Sequence, residues 1–176
     1  MKESDAFVLL PGGYGTLDEA FELLTLMQTG KTAIRPVVLL APVGNTYWDD
    51  WLLFVREHLI ARGLCSPEDL ALIEQVHDVD AAVRIIERFY ANYHSIRIIG
   101  DDLVVRMRQG PTDSQLAGLN ERFAHLAIDG AIKRVEPYGV ERRQHDHVEL
   151  PRIAFVFDHH GYAELRGLID EINTYL

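Results

Sequence analysis

The chain has a single cysteine, Cys65, so it closes no disulfide within itself, and a reducing compartment, the cytosol, is expected. It has no long hydrophobic run: stretches such as Val37–Ala41 fall far short of the roughly 20 residues that cross a bilayer, so no membrane partner is expected. Met1-Lys2-Glu3-Ser4-Asp5 leads into an apolar segment of only five residues, too short for the core of a signal peptide. Basic side chains are scarce, with 17 Lys and Arg against 27 Asp and Glu and a formal net charge of −10. A surface that negative repels a phosphodiester backbone, which argues against nucleic acid as a partner. Repeats and low-complexity tracts are absent too. What remains is the composition of a soluble globular chain: of 176 residues, 48% are hydrophobic and 25% charged.

Ala6-Phe7-Val8-Leu9-Leu10 is apolar without alternation, the pattern of a strand buried on both faces of a parallel sheet. Pro11-Gly12-Gly13 stops it. Thr16 to Thr29 carries apolar residues at 20, 21, 23, 24, 26 and 27, a broad helical stripe, and Gly30 fits the C′ position that ends it. Pro36–Ala41 reads as a second buried strand, completing a βαβ unit. A helix is expected from about Trp48 to Arg62, closed by Gly63. Ser66-Pro67-Glu68-Asp69 has the cap, the N1 proline and the acidic first turn of another. Ile73–His77 is a candidate third strand, and Asp78 or Asp80 caps a helix to about Tyr93. This is a doubly wound α/β pattern.

The pattern changes after residue 92. Ser95–Met107 is strand-like, Thr112 caps a helix to about Ala127, and Ala131–Tyr138 is a candidate strand. Gly139–Glu149 reads as a polar loop, Leu150–Phe157 as a strand and Tyr162–Tyr175 as an amphipathic helix. The expected organisation is thus an α/β domain over 1–92 and a small α+β module over 93–176.

Pro11-Gly12-Gly13-Tyr14-Gly15-Thr16-Leu17-Asp18-Glu19 lies between the first strand and the first helix. Its glycines let a ligand approach the backbone, and the helix start offers unpaired N–H groups and a positive dipole end, together a site for phosphate. The Gly-Lys-Ser/Thr ending of a Walker loop is absent, and the glycine spacing is not that of the dinucleotide fingerprint. Thr16 and Glu19 also have the spacing of a capping box, in which Glu19 is purely structural. Otherwise a carboxylate beside a phosphate serves the neighbouring ribose, stabilising an oxocarbenium-like transition state at C1′ or orienting a water. Asp18 faces elsewhere, as a partner of the helix dipole.

These nine residues resemble the PGGxGTxxE signature of the LOG ("Lonely Guy") family of nucleoside 5′-monophosphate phosphoribohydrolases, whose members are often labelled lysine decarboxylases. The similarity extends through Ser4-Asp5-Ala6-Phe7-Val8, Gln28-Thr29-Gly30, Pro36–Leu40 and Tyr47-Trp48 with Leu52-Leu53, over about residues 3–92. It implies a Rossmann-like fold, of which 1–92 is the C-terminal half, a homodimer, and hydrolysis of AMP or a cytokinin riboside monophosphate to base and ribose 5-phosphate without metal or other cofactor. It assigns the phosphate to Gly12, Gly13, Gly15 and Thr16 and makes Glu19 the catalytic carboxylate. Tyr14, within the motif, reads either as bordering the ligand or as packing the loop. The resemblance further implies strands before Ala6 and an Arg-Lys pair that would fall upstream of Met1, a place Lys2 does not fill. The alternative is a non-catalytic nucleotide-binding or carrier module.

Other residues invite function less. His145-Asp146-His147 and Asp158-His159-His160 read as solvated histidines rather than metal ligands. Cys65 has no basic cluster to activate it. Trp48 and Trp51 read as helix packing, and Lys133, Arg134, Arg142 and Arg143 as a solvated basic patch.

Overall fold

The structure, a computed structural model, describes residues 4–128, 130–157 and 161–176. The chain divides into two units, Met1–Arg88 with Tyr162–Arg166, and Phe89–Gly161 with Gly167–Leu176. The Asp158-His159-His160 group lies outside the described residues.

The first unit holds three parallel strands, β1 (Phe7–Leu9), β2 (Val37–Leu40) and β3 (Ile73–Val76), in the order β1-β2-β3. Phe7 pairs with Val37, and Val37 with Ile73. The middle strand explains its own sequence: Val37, Val38 and Leu39 are all buried, so no position favours a polar residue. β1 departs from expectation. It is not buried on both faces; Val8 is 42% and Leu10 58% exposed. Its place at the edge is the cause, since among the described residues it pairs only with β2.

Helix α1 (Tyr14–Gln28) joins β1 to β2 and buries Ala20, Leu23 and Met27. It starts two residues before the expected Thr16, because the Gly13 carbonyl already accepts the N–H groups of Thr16 and Leu17 at 3.1 and 3.3 Å. It ends as expected at Gly30 (φ +67°). There the Gly30 N–H donates to Met27 O at 3.0 Å and the Lys31 N–H to Leu26 O at 2.8 Å, a Schellman closure. Gly30 is also pinned by space: a Cβ there would lie 2.0 Å from the Tyr162 ring.

The helix expected over 48–62 is α2 (Tyr47–Phe54) continuing into a wide π turn, Val55–Ile60, with Gly63 (φ +70°) after it. Ser66 starts a 3₁₀ segment, Pro67–Leu72, its N–H donating to Asp69 Oδ2 at 2.9 Å. Asp78 Oδ1 accepts the Ala81 N–H at 2.7 Å and begins α3 (Val79–Phe89). Successive β2 side chains point to opposite faces. Leu39 packs with Ala41, Trp48, Trp51 and Val55 of the α2 side, joined by Leu17 and Phe21 of α1, while Val38 packs with Ala82 and Ile85 of α3. Both tryptophans are buried as expected, and the Trp48 indole N–H donates to Leu40 O at 3.3 Å.

The second unit holds an antiparallel sheet of β4 (Tyr93–Ile99), β5 (Asp102–Met107), β6 (Lys133–Arg134) and β7 (Arg152–Val156), in the order β4-β5-β7-β6. The single strand expected over 95–107 is a hairpin. Ile99 pairs with Asp102 across Gly100-Asp101, and Gly100 takes φ +63°. Thr112 caps α4 (Asp113–Phe123) as expected, its Oγ1 accepting the Gln115 N–H at 3.3 Å. The strand expected over 131–138 shortens to β6. The polar loop expected over 139–149 contains a helix, α5 (Gly139–Gln144). Its Glu141 is completely buried and accepts from Arg106 Nη2 at 2.6 Å. α6 (Tyr162–Ile172) follows β7. Among the described residues, no helix is long and apolar enough to cross a membrane.

Candidate functional site

The motif residues converge where β1 ends and α1 begins. In open α/β sheets, ligands bind outside the carboxyl ends of the parallel strands, the position this turn occupies. Gly12 is required by packing: a Cβ there would lie 2.1 Å from Thr16 Oγ1, so the threonine hydroxyl sits against the glycine backbone. Gly13 and Gly15 differ, because a Cβ at either would meet nothing within 4 Å and their faces open outward. Tyr14, at the first helical position, is 94% exposed.

The N–H groups of Gly13, Tyr14 and Gly15 find no acceptor among the described residues. No acidic residue occupies the first turn of α1 to compete for them. Three N–H groups at the positive end of a 15-residue helix favour an anion.

Glu19 stands on the same helix. Because α1 starts at Tyr14, Thr16 is already inside the helix rather than its N-cap, and the Thr16–Glu19 capping box is not formed. The structural role for Glu19 is thereby removed. Its side chain is exposed and has no hydrogen-bond or ion-pair partner among the described residues. It follows Gly15 by four residues, which puts the two on one face about 6 Å apart along the axis. Gly15 has no side chain to obstruct that face.

One residue of the site carried no role in the sequence reading. Tyr47, the first residue of α2, donates its hydroxyl to Gly12 O at 2.7 Å. It is positioned by the loop leaving β2, where Asn45 Oδ1 accepts the Tyr47 N–H at 3.0 Å and Gly44 takes φ +85°. Its only sequence signal was its place in the Tyr47-Trp48 pair of the resemblance.

The other candidates serve packing and charge pairing. Cys65 borders a small apolar cavity of about 70 Å³ with Phe21, Leu24, Trp51 and Leu70. Burial and then Asp69 push its thiol pKa up, away from a reactive thiolate. His145 and His147 are exposed, as expected, while Asp146 between them accepts from Arg106 and Arg97 and the His147 ring lies 4.3 Å from that of His94. In the basic patch, Arg134 donates to Asp113 Oδ1 at 2.5 Å, while Arg142 and Arg143 are exposed.

The fold is a mixed α/β arrangement, with a parallel three-stranded sheet in one unit and an antiparallel sheet in the other. Residues 1–86 match the family model described as "Possible lysine decarboxylase". A probable cytokinin riboside 5′-monophosphate phosphoribohydrolase of Oryza sativa subsp. japonica, LOGL9, is 40% identical over 88 residues, 50% of this chain and 37% of that protein. LOG7 of Arabidopsis thaliana, a cytokinin riboside 5′-monophosphate phosphoribohydrolase, is 32% identical over 104 residues, 58% of this chain and 46% of that protein. The probable phosphoribohydrolase LOG6 of the same plant reaches 52% over 66 residues, 38% of this chain and 31% of that protein. The chain thus spans less than half the length of these curated relatives. Residues 1–86 are thus similar to this family model and to these LOG phosphoribohydrolases.

Proposed function

We propose that the glycine turn and Glu19 form part of a nucleoside 5′-monophosphate N-ribosidase site, which hydrolyses the N-glycosidic bond to free base and ribose 5-phosphate. One observation carries this reading: the unclaimed N–H groups of Gly13, Tyr14 and Gly15 stand at the start of the helix that carries the unclaimed carboxylate of Glu19, on the same face as Gly15. Helix-start N–H groups suit a phosphate. In this reading Gly12, Gly13, Tyr14, Gly15 and Thr16 bind the 5′-phosphate, and Glu19 meets the ribose. A carboxylate at C1′ stabilises the positive charge that grows as the base departs, or orients the attacking water. Glu19 spends its charge on no other group of the described residues. The relatives are named as cytokinin riboside 5′-monophosphate phosphoribohydrolases, which supports a nucleoside 5′-monophosphate as the substrate class; AMP belongs to that class and is part of this proposal. A Rossmann-like arrangement and a homodimer belong to the same proposal.

The test incubates the protein with AMP and measures ribose 5-phosphate. Glu19→Gln is expected to lower the rate on the order of 10²-fold or more, with the melting midpoint unchanged because Glu19 is exposed and unpaired. Full activity in that variant removes the role assigned to Glu19.

A further inference from the structure

We infer that Tyr47 is a positioning residue for the glycine turn: its hydroxyl holds the Gly12 carbonyl aside and thereby aims the Gly13 N–H at the anion. The inference rests on the phosphate-binding reading of the turn and adds the element that gives the turn one shape.

The peptide joining Gly12 to Gly13 has a glycine on each side. Glycine accepts either sign of φ at little cost, so nothing local prevents this peptide from rotating. One orientation presents the Gly13 N–H to an anion; the reverse presents the Gly12 carbonyl, whose partial negative charge repels it. A trans peptide holds its C=O and N–H pointing in opposite directions, and no cis peptide occurs among the described residues. Anchoring the Gly12 oxygen on one side therefore sends the Gly13 N–H to the other.

Tyr47 supplies the anchor. Its 2.7 Å bond to Gly12 O spans 35 positions of sequence and has the usual length of an O–H···O bond. Tyr47 is itself held at both ends. Its N–H donates to Asn45 Oδ1 at 3.0 Å, and its ring packs edge-on against the fully buried Trp48 at 4.8 Å. Across the turn, the Thr16 hydroxyl packs against Gly12. The Gly12–Gly13 peptide is thus gripped by a side chain from the next βα loop, and the core beneath α2 sets the shape of the turn.

The test compares the wild-type chain with Tyr47→Phe, which removes only the hydroxyl. Ribose 5-phosphate is titrated against each by calorimetry, and the Gly13 amide is followed by ¹⁵N NMR. In the variant, affinity is expected to fall on the order of ten-fold. The ligand-free Gly13 amide resonance is expected to shift or broaden as the peptide samples both orientations, with the melting midpoint little changed. Wild-type affinity with an unaltered Gly13 resonance in Tyr47→Phe overturns the inference and leaves the phosphate-binding reading standing. An affinity loss matched by a large drop in melting midpoint overturns it in favour of a structural role. If neither protein binds ribose 5-phosphate, the phosphate-binding reading fails and this inference falls with it.

Discussion

Arg106 and Arg152 stand directly opposite each other in the register of β5 and β7, both buried. Two like charges at facing positions repel, and the buried carboxylate of Glu141 lies between them. Its Oε1 accepts from Arg106 Nη2 at 2.6 Å and lies 2.6 Å from Arg152 Nη1. Asp146 adds a second carboxylate on Arg106 at 2.7 Å. Removing one member of a buried ion group leaves the others uncompensated, at a cost of about 3–5 kcal/mol. Glu141→Ala is expected to lose stability on that scale in urea unfolding.

The same group gives the chain an acid limit. Burial alone would raise the Glu141 pKa, but the Tyr138 N–H, the Arg106 hydrogen bond and the charges of Arg152 and Arg106 outweigh it and hold it below the usual range. The Arg106 hydrogen bond is the first cause of the lowered Asp146 pKa, with Arg97 adding to it against burial. A depressed carboxyl pKa contributes stability above its unfolded value, about 4, and loses it as the pH falls through the folded value. The melting midpoint should therefore fall below about pH 4, after a smaller decline that begins below about pH 6.5, where burial and the nearby His147, Arg108 and Arg106 hold the His94 pKa down. In Glu141→Ala the fall should be shallower.

Gly30 is constrained twice, by its φ of +67° and by the Tyr162 ring. The left-handed conformation alone costs a side chain about 1–2 kcal/mol, and the clash adds to it. Gly30→Ala should destabilise by more than about 2 kcal/mol. In a Tyr162→Ala background the clash share should vanish while the backbone share remains, a difference that a double-mutant cycle in urea resolves.

The edge position of β1 leaves Val8 42% and Leu10 58% exposed beside a strand that, among the described residues, pairs only with β2. An uncovered edge of this kind invites pairing with another chain. The protein should self-associate as its concentration rises in light scattering, and Val8→Lys should reduce the association. Unchanged association in Val8→Lys excludes this edge as the contact.

What could be read in advance followed short-range physics. The β2 run, the Gly30 closure and the Thr112 cap each depend on residues within a turn or one strand, and each was legible. The start of α1 was not, because the Gly13 carbonyl makes the first turn without a side-chain cap and so without a cap signature. The hairpin at Gly100-Asp101 was hidden in a long apolar-rich stretch. α5 is six residues long and exists around Glu141, whose partners Arg106 and Arg152 come from two strands. In the site, the glycines and Glu19 were visible as a contiguous motif. Tyr47 was not assigned, because its bond to Gly12 joins positions 35 residues apart.

The wide turn at Val55–Ile60 has a consequence for how this chain can vary. There the Ala61 N–H reaches back five residues to Arg56 O at 3.0 Å. A π turn holds one residue more than the α turn it replaces. The helix therefore carries a spare residue, and deleting one from this turn would let it close as plain α-helix while keeping Trp51 in the core. By gaining or shedding a single codon, descendants could re-aim Leu59 and Ile60 without disturbing the strand before the helix or the glycine after it.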